Sequence, residues 1–238
     1  MKKPLLILSL LTILTISCAI PYPISQLSPS EKENLIWENG REIITQSKDS
    51  LTLEVSYYEK QDELFIFDVS IINQREEVIT IDPLQFSYIP ISSKGDTLNL
   101  VHAVNPENEI LKQEMQISKL NAQKKNELRT ALILGSLELA TELTTENDEY
   151  SDDYPSAIEV YNYESDKIDY RKLNTFDKKA YWENQTLRKT TLFPDCYTSG
   201  QIFLKYKKDV KKIGLLFSID DRTFEFWFNH SLKKHSDF

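Results

Sequence analysis

Apolar and polar residues alternate from about residue 41 to 104 and again from about 200 to 230, and between these stretches the period lengthens to that of a helix. "SLTLEVSYYEK" puts Leu51, Leu53, Val55 and Tyr57 on one side and Thr52, Glu54 and Ser56 on the other. That two-residue period is a strand with one buried face. "ELFIFDVSIIN" follows a polar turn at Lys60–Asp62. Its inner face is Phe65, Phe67, Val69 and Ile71, and Leu64, Ile66 and Ile72 make its back apolar too. A strand apolar on both faces is expected to be central and covered on both sides. "EVITIDPLQFSYIPIS" gives one or two short strands broken at Asp82–Pro83, and "SSKGDTLNLV" gives a turn at Lys94–Asp96 leading into another. Near the C-terminus, "GQIFLKYK" and "KIGLLFSID" repeat the pattern. "RTFEFWFNH" follows the turn pair Asp220–Asp221, with Phe224, Phe226 and Phe228 on one face. An aromatic hairpin of this kind closes a sheet well.

The helical period begins at residue 105. Asn105 is a plausible N-cap and Pro106 suits the first helical position. Ile110, Leu111, Met115, Ile117 and Leu120 are helically spaced, and Leu128, Ala131, Leu132, Gly135 and Leu139 continue the stripe. This predicts two helices with a bend near Ser118–Asn121. The stripe is expected to pack on the protein's own core; a partner-binding face is the alternative. Residues 155–174 show no clear period. "TFDKKAYWENQTLRK" predicts a helix capped by Thr175, with Phe176, Ala180 and Leu187 facing inward. Strands, then helices, then strands give a fold class of α+β, mainly β: an antiparallel β-sandwich over 39–230 with a helical block inserted at about 105–189. Strands from both ends of the chain must pair to complete it.

The chain starts differently. Lys2 and Lys3 precede an apolar run from Leu5 to Ile16, then Ser17 and Cys18. Twelve residues are too few for a permanent bilayer helix, which needs about 20. A basic start, a short apolar core and a small exit residue make residues 1–17 a secretory signal. "TISC" resembles the lipobox of bacterial lipoproteins, with Thr15 in place of the commoner leucine. The resemblance implies cleavage before Cys18, lipidation of its thiol and acylation of the new amine. Several acyl chains, each burying about 0.8 kcal/mol per CH₂, hold far more firmly than one. The alternatives are a released protein or an uncleaved anchor. Pro21, Pro23 and Pro29 then favour an extended tether over 18–38. Residues 231–238 read as a C-terminal tail.

Charge narrows the partners. The formal net charge is −9, and removing residues 1–17, which hold two lysines and no acid, makes it −11 on the remaining 221 residues. Such a chain is a poor binder of nucleic acid and of anionic lipid through charge alone. The run "KYKKDVKK" at 205–212 is expected as a solvated turn; contact with an anionic envelope polymer is the alternative. "TTENDEYSDDY" at 144–154 carries Glu146, Asp148, Glu149, Asp152 and Asp153 without calcium-loop spacing, so a solvated loop is expected over a weak cation site.

Motifs of known chemistry are missing. Five scattered glycines leave no phosphate-binding loop, and no nucleophile elbow occurs. His102, His230 and His235 have no metal-ligand spacing. His230 and His235 are expected on the solvated surface and His102 as a hydrogen-bonded bystander. With Cys18 lipidated, Cys196 has no disulfide partner; it reads as a half-buried structural thiol, ahead of a Cys18 disulfide or a catalytic role. The carboxylates are numerous but none sits in a recognisable motif. "DSL" at 49–51 and "DTL" at 96–98 resemble the short O-glycan acceptor motif of Bacteroidota.

"LFIFDVSIINQREEVITIDPLQFSY", "AVNPENEI" and "TLRKTTLFPDCYTSGQIFLKY" resemble segments of small immunoglobulin-like lipoproteins from Bacteroidota. Asp195–Cys196 stands where a Pro-Gly turn is common in them. The resemblance covers about half the chain. It implies an immunoglobulin-like sandwich and an envelope address, and supplies no catalytic residue, metal or cofactor. The function expected is therefore a lipid-anchored, non-catalytic binding or scaffolding module, held to the membrane at Cys18, with an envelope protein or glycan as partner. An enzyme acting on envelope glycan through paired carboxylates is the alternative, as is an assembly partner of another envelope protein. Outward-facing lipoproteins of Bacteroidota carry acids just after the lipidated cysteine. Here the first acid is Glu31, which points to an outer-membrane anchor facing the periplasm.

Overall fold

The computed structural model describes residues 23–142 and 155–233. Cys18, the signal segment, the acidic stretch 144–154 apart from its neighbours at 155 onward, and His235 lie outside the described residues. The described chain is mainly β. β1 (Ile24–Pro29), β12 (Arg222–Lys233), β11 (Val210–Ile219), β7 (Phe86–Ser92) and β8 (Val101–His102) form one sheet in that order. β10 (Cys196–Lys205), β5 (Leu64–Asn73), β4 (Leu51–Gln61), β3 (Arg41–Lys48) and β2 (Leu35–Glu38) form the second. β6 (Ile79–Ile81) and β9 (Thr190–Leu192) make a short ribbon, and every strand pairing is antiparallel. Between β8 and β9 stand two helices, α1 (Pro106–Glu142) and α2 (Ala157–Asn184).

The two sheets face each other across one aromatic-rich core. Phe67 of β5 meets Phe228 of β12 with ring centroids 5.3 Å apart, and Phe65 meets Tyr88 at 6.4 Å, both edge to face. Such pairs add roughly 0.5–1.5 kcal/mol beyond area burial. Leu51, Leu53 and Val55 are fully buried, as the alternation of β4 requires. Ile66, on the back of β5, is buried as well, in keeping with a central strand between β10 and β4. The Tyr88 phenol donates to the Lys205 carbonyl at 2.7 Å, and burial raises its pKa far above the usual tyrosine range. Asn73 ends β5 wholly buried, its amide donating to the carbonyls of Glu77 and Leu192. That one side chain ties the β5–β6 turn to β9. The Asp82 carboxylate accepts from the Leu84 N–H at 3.1 Å and starts the turn at Pro83, which is why Asp-Pro interrupts the strands there.

Four expectations are corrected. The tether does not run unbroken over 18–38, because 24–29 and 35–38 are strands. β1 is an edge strand, where the missing N–H of Pro29 costs little, and Leu27 is buried in the core. The tail at 231–238 begins later than read, since β12 continues to Lys233 opposite Ile24. α1 does not bend near Ser118–Asn121 but is one helix of 37 residues; the polar stretch holds neither Pro nor Gly. Residues 157–174 belong to α2, which starts at a capping box: Ser156 Oγ accepts from the Glu159 N–H while the Glu159 carboxylate accepts from the Ser156 N–H. Thr175 is therefore not a cap. It sits in mid-helix, its hydroxyl donating to the Arg171 carbonyl at 2.8 Å.

Where the helices rejoin the sheets, a glycine is required. A Cβ on Gly200 of β10 would lie 2.6 Å from the Leu187 nitrogen and 2.8 Å from its Cα. The Leu187 N–H donates to the Gln201 carbonyl at 2.9 Å, so that segment cannot retreat without breaking the contact. Gly200→Ala is expected to cost about 1–3 kcal/mol, read as a lower midpoint in urea unfolding. An unchanged midpoint would place residues 186–187 away from β10.

Candidate docking surface on the helical hairpin

α1 and α2 are held chiefly against each other. At a 1.5 Å rise per residue, α1 is about 55 Å long. The contacts that join the pair to the sheets gather at its base. Arg188 grips the Glu107 carboxylate with two donors, at 2.6 and 2.9 Å. Trp182 packs on Phe203 of β10 at 4.3 Å between centroids, and the Tyr181 hydroxyl donates to the Gln201 side chain. Gln201 in turn donates to Asp68 at 3.0 Å, and Arg41 meets the other Asp68 oxygen at 2.6 Å.

Beyond the base, the seam between the helices is partly polar. Lys179 pairs with Glu114 at 3.1 Å and Lys124 with Asp169 at 2.5 Å. The Glu138 carboxylate accepts from the Ala157 N–H at 3.2 Å, satisfying one more first-turn N–H beside the capping box of α2. Leu120 and Ile168 are buried in the seam, and Ala131 and Ala157 allow close approach near the far end. These few residues are a thin core for two helices of this length. Isolated helices are marginal in water unless an apolar face is packed.

The expected inward-facing stripe is consequently not covered by the protein's own core. Ile110 and Leu120 are buried, but Leu111, Met115, Leu128, Leu132 and Leu139 are exposed. Phe176 and Ala180 are exposed too; of the three residues assigned inward in that segment, only Leu187 is buried. The far third of the hairpin is the most apolar part. Thr130–Leu137 carries no charge, Leu132 and Ile133 are 65% and 67% exposed, and Ile158 of α2 is 63% exposed. Each such side chain forgoes roughly 1.5–3 kcal/mol by staying in water. Two recesses flank the tip. One, of about 610 Å³, runs between Leu128, Leu132, Gly135 and Leu139 on α1 and Ile158 and Tyr161 on α2. The other, of about 380 Å³, is lined by Leu134, Leu137 and Val160. A helix apolar all round is the kind that something else covers.

Reading the sequence for periodicity missed Ile133, Leu134, Leu137 and Ile158. The signal was present: "ALIL" is four apolar residues in a row, more than a one-faced surface helix uses.

Elsewhere the surface offers less. A cleft of about 700 Å³ lies along β1, β3 and β4, with Trp37 at its edge and Arg41 stacked 4.2 Å over the Tyr58 ring. Tyr57, inside it, donates to the Ser25 carbonyl at 3.0 Å, and burial pushes its phenol up to about 12. Glu54 and Asp68 line a recess of about 340 Å³ on the back of the second sheet. Both Asp68 oxygens are engaged by Arg41 and Gln201. Among the described residues no group of three or more His, Cys, Asp or Glu side chains could hold a metal ion. No described helix is long and apolar enough to cross a membrane.

The remaining singled-out residues fall as follows. His230 is not on the solvated surface. Its Nδ1 lies 2.6 Å from the Val210 carbonyl and its Nε2 2.7 Å from the Ser25 hydroxyl. With one ring nitrogen on each, the imidazole clamps β1 to the start of β11. Cys196 is not half-buried: its thiol is free and exposed at the start of β10. His102 is exposed in β8. In the lysine run, Lys207 and Lys208 are exposed around a turn where Asp209 has a φ of 61°. Ser50 and Thr97, the hydroxyls of the two acceptor-like motifs, are both exposed, Ser50 on a turn and Thr97 in a bridge to Ile91.

No family model matches the chain, and no curated protein or solved structure matches it.

Proposed function

We propose that this chain is a lipid-anchored protein of the bacterial cell envelope and that its folded part is a non-catalytic docking module. In this reading an immunoglobulin-like sandwich carries a helical hairpin that seats an apolar partner surface. The observation that carries it is the far third of the hairpin, whose leucines and isoleucines are exposed although the chain has a well-packed core elsewhere. The lipobox-like "TISC" at Cys18 supports the anchor, and the absence of acids before Glu31 supports an outer-membrane anchor facing the periplasm. A hairpin some 50 Å long, hung from one edge of a sandwich, suits reaching a partner better than shaping a reaction site.

The test is a photo-crosslinking side chain placed at position 132 or at Lys178 of the full chain, irradiated in living cells. Position 132 is expected to give discrete adducts and Lys178, exposed on the polar part of α2, to give few. Equal yields from both positions would remove the docking reading.

A further inference from the structure

We infer that the occupant of the hairpin's apolar groove is a second copy of this chain, its own α1 laid antiparallel against the first. The inference rests on the docking reading above and names the partner. Leu128, Leu132, Gly135 and Leu139 are spaced four, three and four residues apart, the repeat of a helix-to-helix seam. This stripe adjoins the one through Leu120, Lys124, Ala131 and Glu138 that already faces α2. The stripe is its own complement. Turning a second α1 about a two-fold axis midway between Ile133 and Leu134 sets Leu128 opposite Leu139 and Leu132 opposite Gly135, twice each. Gly135 has nothing within 4 Å of where a Cβ would stand, so a leucine from the other helix has room there. A two-fold contact is the commonest way identical chains associate.

Charge favours this occupant over a lipid surface. The groove's one charged side chain is Glu138, already engaged by the Ala157 N–H, so two copies meet without facing like charges. A chain of net charge −9 gains nothing from an anionic membrane. The size fits a reversible pair. Leu128, Leu132, Leu139 and Ile158 are 41–65% exposed. At on the order of 100 Å² of apolar surface per such side chain, two copies would bury about 800 Å² of apolar surface, and with a little over half of an interface apolar, about 1,400 Å² in all. That is the lower part of the range of specific contacts, and anchoring both copies in one membrane raises their effective concentration.

The test uses the full chain with Cys196→Ser, so that introduced thiols have no exposed competitor. Leu128→Cys combined with Leu139→Cys is expected to yield a covalent dimer on mild oxidation of intact cells. Leu128→Cys alone should not, because the two copies of position 128 lie about 16 Å apart along the axis. In detergent, sedimentation of the full chain should show a reversible dimer that Leu132→Glu weakens at least 30-fold with unchanged circular dichroism, since Leu132 is exposed in the single chain. A monomer at 200 µM with no crosslink overturns the pairing. So does crosslinking by Leu128→Cys alone as readily as by the double variant, which would mean parallel helices. Adducts from position 132 to a different protein, without a thiol crosslink, overturn self-pairing but leave the docking surface standing.

Discussion

Cys18→Ala abolishes incorporation of labelled fatty acid and leaves the protein unprocessed or soluble: that is the expected result with the largest effect. On the lipoprotein reading, the Cys18 thiol takes the lipid and the cut before it depends on that lipid. Serine would not rescue, because the acceptor chemistry is that of sulfur. The same strains report orientation. Protease added to intact cells should spare the wild-type protein and digest it after lysis, as a periplasm-facing anchor requires. Equal labelling of the variant would end the lipoprotein reading, and shaving from whole cells would reverse the orientation.

Phe226→Ala is expected to destabilise the fold by about 3–5 kcal/mol. Phe226 is fully buried on β12 and meets Phe217 of β11 edge to face, with centroids 5.6 Å apart. Phe217 in turn meets Phe86 of β7 at 4.9 Å. Removing the ring takes one member from a chain of three across three neighbouring strands, and well-packed surroundings collapse only partly into such a cavity. For a chain of this size each kcal/mol lowers the melting temperature by about 2–4 °C, so a fall of roughly 10 °C is expected. Glu225→Ala, one residue away on the exposed face, should change it little. A melting temperature unmoved by Phe226→Ala would mean that this hairpin does not close the core.

The core of the fold was legible because its code is local. The alternation in β4, β5 and β12 assigns each side chain to a face, and burial follows that assignment at Leu53, Phe67 and Phe226. The first two strands were not legible. Prolines at 23 and 29 signal extended chain, and whether β1 is free or paired depends on β12, some 200 residues away, while β2 is a short edge strand that pairs only with β3. α2 was hidden by its mixture of aromatics and charges, although Ser156 and Glu159 form a capping box readable in the sequence. The exposed apolar face of the hairpin was half legible. Spacing placed Leu128, Leu132 and Leu139 on one stripe, but spacing cannot say whether a stripe is covered by the same chain. It also missed Ile133 and Leu137, which lie off the stripe and are exposed with it. The roles given to His230 and Cys196 failed for a similar reason: partners and exposure were decided by strands distant in sequence.

The two ends of the hairpin leave the sheets almost side by side. The Val104 N–H bonds to the Phe203 carbonyl, and the Gln201 N–H bonds to the Gln185 carbonyl, so entry and exit lie within three residues along β10. Everything between them is topologically a cassette. Its length can change by whole helical turns in both arms while the sandwich keeps every strand pairing, since β6 and β9 meet below the insertion point. Reach and tip chemistry can thus be changed by engineering the hairpin without re-solving the folding problem of the sheets.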